Sequence, residues 1–68
     1  MGFEKVTLLK VEKILGESRK ACFLNGTMFV ECDEVKARSI FHALTREHGL
    51  GKVQINYAAG EYIYDFVA

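Results

Sequence analysis

The chain has 68 residues, half of them hydrophobic, and its nine basic residues balance nine acidic ones. This length allows one small domain with a thin margin of stability, because a chain of about 60 residues buries only about 60% of the surface that it exposes when unfolded. A net charge of zero argues against a domain whose main task is to grip nucleic-acid backbone or an anionic membrane, since each phosphate contact requires a cation.

The amino-terminal residues predict a soluble cytoplasmic protein. They lack the basic start, the long hydrophobic run and the small-residue cleavage site of a signal peptide. The hydrophobic runs, such as residues 28–30, are also far too short to span a membrane. We therefore expect no membrane partner and a single domain over residues 1–68.

The first segment, residues 3–14, is rich in β-branched and apolar residues but alternates imperfectly. Val6 and Leu8 share one phase of a strand, whereas Leu9 and Val11 share the other. The apolar residues also scatter around a helix, so a helix fits the pattern no better. A bulge near Leu8 and Leu9 would restore the inward phase, and the segment is predicted to be a bulged strand.

Asn25 and Gly26 predict a tight β-hairpin, because both residues tolerate the positive φ that a type I′ turn requires. The turn fixes the register and places Phe23 opposite Met28. Since opposed residues share a face, one face of the hairpin is entirely apolar and is predicted to be core. The residues on that face are Ala21, Phe23, Met28, Val30 and Cys32.

The other face of this hairpin carries an apolar cluster of Cys22, Leu24 and Phe29. Apolar clusters on a surface often mark interfaces, and these three residues are the predicted interface with a protein partner or a second copy. The alternative is that the first segment or a chain terminus folds over them. Cys22 and Cys32 fall on opposite faces, so both thiols are predicted to be reduced and half-buried.

Residues 34–48 are predicted to form an amphipathic helix. Asp33 is a suitable N-cap, and Gly49, followed by Leu50, fits the left-handed position that ends a helix. One face of the helix is apolar over its whole length and should pack on the sheet. The residues on that face are Ala37, Ile40, Phe41, Leu44 and His48.

Residues 52–58 and 61–67 predict a second hairpin, closed by a two-residue loop at Ala59 and Gly60 or by a four-residue loop over residues 58–61, and both loops give the same pairing. This register sorts the apolar residues onto one face, and we interpret that face as core rather than as a base-stacking platform. Its residues are Val53, Ile55, Tyr57, Tyr62, Tyr64 and Phe66. The predicted fold is α+β, a five-stranded antiparallel sheet in the order β-β-β-α-β-β with one helix on its apolar face. The hairpins either join edge to edge or are completed by a dimer.

The chain offers no recognisable catalytic, cofactor or metal site. His42 and His48, the only histidines, lie on different faces of the predicted helix and cannot share a metal ion. His48 near the helix end suits the negative pole of the helix dipole. We therefore predict a non-enzymatic protein that binds neither a cofactor nor a metal.

Arg38, His42 and Arg46 recur at four-residue spacing and form a basic stripe on the outer face of the predicted helix. Such stripes are usually solvated, with local partners such as Glu34. The main prediction is thus a small protein-interaction module of the adaptor or inhibitor kind, which could be homodimeric. The alternative is a nucleic-acid-binding module that uses the Arg38/His42/Arg46 stripe.

Overall fold

A computed structural model describes residues 2–17, 19–48 and 52–66, which form two helices and four strands. The α+β class is confirmed, whereas the prediction of five strands and one helix is wrong. Neither helix is long and apolar enough to cross a membrane, as far as the described residues show. The elements are α1 (Phe3–Leu15), β1 (Ala21–Leu24), β2 (Thr27–Val30), α2 (Glu34–His48), β3 (Val53–Ala58) and β4 (Glu61–Phe66).

The predicted bulged strand over residues 3–14 is helix α1. Thr7 and Val11, which are four residues apart, are its buried residues. Gly16 ends the helix in the left-handed conformation, and its N–H bonds to the Glu12 carbonyl at 2.8 Å. The apolar residues scatter around the helix because some of them, such as Leu9, point outward, and this scatter hid the buried stripe from a search by periodicity.

Helix α2 has the predicted start and the predicted buried face. The Asp33 carboxylate accepts a 2.8 Å hydrogen bond from the Lys36 backbone N–H and caps the first turn. Ala37, Ile40 and Leu44 are buried, while Phe41 is half-buried against the core. The predictions for Gly49 and Leu50, and for the side chain of His48, lie outside the described part of the chain.

The four strands form one antiparallel sheet in the order β1-β2-β4-β3. Both predicted hairpin registers are confirmed, with Phe23 opposite Met28 and Ile55 opposite Tyr64. The turns at 25–26 and 59–60 have positive φ at both residues, as a type I′ turn requires. The hairpins join edge to edge through β2 and β4, where Met28 lies opposite Tyr64.

Both helices pack against the same face of the sheet. The buried core there combines Val11 of α1 and two residues of α2 with the strand residues beneath them. The Tyr64 hydroxyl donates a 2.8 Å hydrogen bond to the Ala37 carbonyl and ties the sheet to α2. The ring centroid of Phe3 lies 6.2 Å from that of Phe23 and 5.2 Å from that of Phe66. These aromatic contacts hold α1 against the sheet. The buried cluster is Val11, Met28, Val30, Ile40, Leu44, Val53 and Tyr64.

The predicted core face of the second hairpin needs one correction. Val53 and Tyr64 are buried, but Tyr57 is 62% exposed and is not a core residue. Tyr57 stands on an edge strand beside the turn, so it has a neighbouring strand on one side only. Its ring contacts the half-buried Tyr62 at a centroid distance of 4.6 Å.

Candidate functional site

The sheet face opposite the helices, which we call the open face, is the candidate functional site. Side chains alternate across a sheet, so the residues between the core positions of each strand point away from both helices. The cross-strand register brings Cys22, Phe29, Ile63 and Asn56 into one row. No described helix covers this row, because α1 and α2 both pack on the other face.

Three apolar residues of two hairpins meet on the open face. Leu24 is 62% exposed, while Phe29 and Ile63 are half-buried. Cys22 beside Phe29 is exposed, so the predicted half-burial of this thiol is wrong. We call the set Cys22, Leu24, Phe29 and Ile63 the apolar patch; it contains the three residues of the predicted interface and brings them together.

Sequence reasoning assigned Ile63 to the right face but missed it as a member of the patch. Ile63 belongs to the second hairpin, and only the pairing of β2 with β4 places it opposite Phe29. The possibility that the first segment folds over the patch is excluded for the described residues, because α1 packs on the core face. A search for apolar residues on the polar face of both hairpins would have found Ile63 as a candidate.

The polar groups around the apolar patch have partners of their own. The Thr27 hydroxyl and an Asp65 carboxylate oxygen, which lie between Leu24 and the β3 edge, form a 3.0 Å hydrogen bond. Lys20 and Glu31 form an ion pair at the open end of the first hairpin. Their hydrogen bond raises the pKa of Lys20 and lowers the pKa of Glu31, because each charge stabilises the other.

The two thiols differ in exposure, because they lie on different faces of the sheet. Cys32 is half-buried against the core, and burial followed by the nearby Asp33 carboxylate raises the pKa of its thiol. Cys22 lies on the open face, and both cysteines are free thiols. The predicted placement of the two cysteines on opposite faces agrees with these positions.

The Arg38/His42/Arg46 stripe is exposed on α2, but its members have different surroundings. Arg38 forms an ion pair with Glu34 at 2.8 Å, as expected for residues four apart on a helix. His42 is exposed and contacts the Phe41 ring at a centroid distance of 6.1 Å. Arg46, the third member, faces the other helix.

Arg46 lines a shallow groove of about 530 Å³ between the two helices. Lys10 and Lys13 of α1 line it as well, over Ile14 and Ala43. The sequence interpretation missed both lysines because it treated their segment as a strand. Close by, the Lys36 ammonium donates a 3.1 Å hydrogen bond to the Ile14 carbonyl at the end of α1.

Comparisons with known proteins add no further evidence about this site. No protein family, no characterised protein and no solved structure matches the chain. Within the described residues, no group of three or more His, Cys, Asp or Glu residues could hold a metal ion. A proposal about function therefore depends on the open face and on the groove between the helices.

Proposed function

We propose that the domain is a non-enzymatic protein-interaction module, of the adaptor or inhibitor kind, that binds a partner protein through its open face. The observation that supports this most is the apolar patch on a sheet face that neither described helix covers. Apolar surface that is shared between neighbouring strands is costly to leave in water and is typical of interaction sites.

The charges around the patch indicate the chemistry of the partner. Lys20 and Glu31 neutralise each other at one end of the face, and Asp65 accepts its hydrogen bond from Thr27. A partner therefore gains little from carrying a strong charge of either sign, since unpaired charges buried at an interface are costly. We expect a partner surface with an apolar centre, which packs on Leu24, Phe29 and Ile63, and a polar rim.

The proposal is tested by capture of a partner from lysate of the source cells with two matched variants. Leu24→Arg places a charge in the apolar patch, whereas Val35→Arg places the same charge on α2, at a residue that is 74% exposed. Both residues are exposed enough for the folded domain to accommodate an arginine side chain. Circular dichroism of each variant checks that the domain remains folded. We expect a nuclease-resistant partner to be retained by the wild type and by Val35→Arg, and retention by Leu24→Arg to fall by tenfold or more.

Capture that Leu24→Arg leaves unchanged, or no retained protein at all, would overturn the proposal. The second candidate function is binding of nucleic acid in the groove between the helices, which Lys10, Lys13 and Arg46 favour. In that case nuclease treatment would abolish retention, and binding would weaken steeply with salt and with Arg46→Glu rather than with Leu24→Arg.

A further inference from the structure

Strand β3 forms one edge of the sheet and is unusual for an edge strand. It has six residues, Val53–Ala58, whereas the opposite edge strand β1 has four. Natural edge strands are usually protected by lysine, by proline or by a bulge, yet β3 has none of these and carries no charge. Within the described ranges, β3 pairs with β4 and with no other strand.

The geometry of the hairpin decides which backbone groups of β3 point away from β4. In a hairpin with a two-residue turn, the pair that flanks the turn exchanges hydrogen bonds, and bonded pairs then alternate along the strands. Ala58 and Glu61 flank the turn, so Ala58, Asn56 and Gln54 direct their N–H and C=O groups toward β4. Ile55 and Tyr57 direct theirs outward, along the open edge.

The same alternation runs through the rest of the sheet and supports this assignment. In the first hairpin it requires a bonded pair at Lys20 and Glu31, and the Glu31 N–H does bond to the Lys20 carbonyl at 2.8 Å. The outward N–H and C=O groups of Val53 are less accessible to a partner strand, because that residue is only 3% exposed. The accessible part of the edge therefore runs from Gln54 to Ala58, with Tyr57 exposed at its outer end.

We propose that this edge binds a second copy of the same chain, so that two β3 strands pair antiparallel about a two-fold axis at Asn56. In this register Ile55 of one copy lies opposite Tyr57 of the other, and each such pair exchanges both backbone hydrogen bonds. Pairs of an aromatic and a β-branched residue stabilise adjacent strands. On the other face, the two Asn56 amides meet at the axis and can bond to each other.

Strand β3 is self-complementary in this register, because the register places no two like charges opposite each other. Gln54 lies opposite Ala58, and the exposed Tyr57 ring gains an apolar neighbour in Ile55 of the second copy. The two sheets become one continuous sheet, and the two open faces lie side by side on it. The proposal uses a different surface from the apolar patch, which lies on β1, β2 and β4, so the two proposals stand or fall separately.

The test combines sedimentation equilibrium with charge substitutions at the axis. Asn56→Lys places two ammonium groups opposite each other, and Asn56→Glu does the same with carboxylates, each at an exposed position. We expect a wild-type dimer whose dissociation constant rises about fivefold to tenfold in either variant at low salt. An equimolar mixture of the two variants should form a heterodimer at least as tight as the wild type.

Gln54→Lys is the matched control. It adds the same charge to the same face of the same strand, but in this register it faces Ala58, and the two new ammonium groups lie roughly 13 Å apart along the strands. At that separation they repel each other only about a third as strongly as two ammonium groups at the axis, so the dissociation constant should stay within about twofold of the wild type. The Ile55 and Tyr57 amides should be protected from hydrogen exchange only when the dimer forms, while the Asn56 amide is protected in both states.

Three results would overturn this proposal. One is a monomer at all concentrations up to about 1 mM, which is far above the range of specific dimers. Another is a dimer that neither Asn56 variant weakens, and the last is free exchange of the Ile55 and Tyr57 amides in a sample that sediments as a dimer.

Discussion

At the residue scale, Tyr64 links the two layers of the domain. Its ring is buried in the core, and its hydroxyl donates to the Ala37 carbonyl on α2 at 2.8 Å. A buried phenol needs such a partner, because an unsatisfied polar group in the core is costly. Burial, followed by the nearby Cys32 and Tyr62, raises the pKa of Tyr64 above its ordinary value.

Tyr64→Phe should lower the free energy of unfolding by about 1 kcal/mol at pH 7, the usual contribution of a hydrogen bond of this kind. Because the pKa of Tyr64 is raised in the folded state, its contribution is complete below the unfolded pKa of about 10 and is lost as the pH rises further. Urea unfolding above pH 10 should therefore show a steeper loss of stability in the wild type than in Tyr64→Phe. Tyr57→Phe, at an exposed tyrosine, is the control, and equal slopes in the wild type and Tyr64→Phe would contradict the assignment.

Individual residue contacts were predictable where a turn determines them. Asn25 and Gly26 fix which residues of the first hairpin face each other, because their positive φ leaves one register. The exposure of Tyr57 was not predictable in this way. Its face is the apolar one, but the extent of helix cover over the end of that face depends on tertiary packing, which strand alternation does not describe.

At the scale of elements, α1 shows why a mixed apolar pattern misled the sequence interpretation. Its core-facing side contains Thr7 and Val11, while Leu9 is 52% exposed on the outside. Tertiary packing stabilises this helix through its buried side, and the outward leucine obscures the period. Helix α2 was predictable because its N-cap at Asp33, its apolar face and its length all indicate the same helix.

The docking of α1 can be tested with two truncations in the same helix. Val11→Ala removes buried methyl groups and should lower the free energy of unfolding by about 1 to 2.5 kcal/mol. Leu9→Ala removes more side chain, but from an exposed site, and should change it by less than about 0.5 kcal/mol. Urea unfolding measures both values, and a larger effect of Leu9→Ala would mean that the buried face of α1 is assigned incorrectly.

At the scale of the whole molecule, the placement of the helices determines what can bind. Two helices on one face of a four-stranded sheet leave the other face without a described cover, and the apolar patch lies there. The α+β class and both hairpins were predictable from local signals. The pairing of β2 with β4 was not, because it joins residues far apart in sequence that no turn connects.

The most direct test of the open face is the reactivity of its thiol. Cys22 is exposed on that face, whereas Cys32 is half-buried on the core side with a raised pKa, so less of it is the reactive thiolate. Cys32→Ser and Cys22→Ser isolate the two thiols for reaction with an aromatic disulfide reagent at pH 7. We predict that the rate of Cys22 lies within about threefold of its rate in unfolded protein, and that Cys32 reacts at least about tenfold more slowly than Cys22. Equal, slow reaction of both thiols would show that the face is covered and would contradict the account.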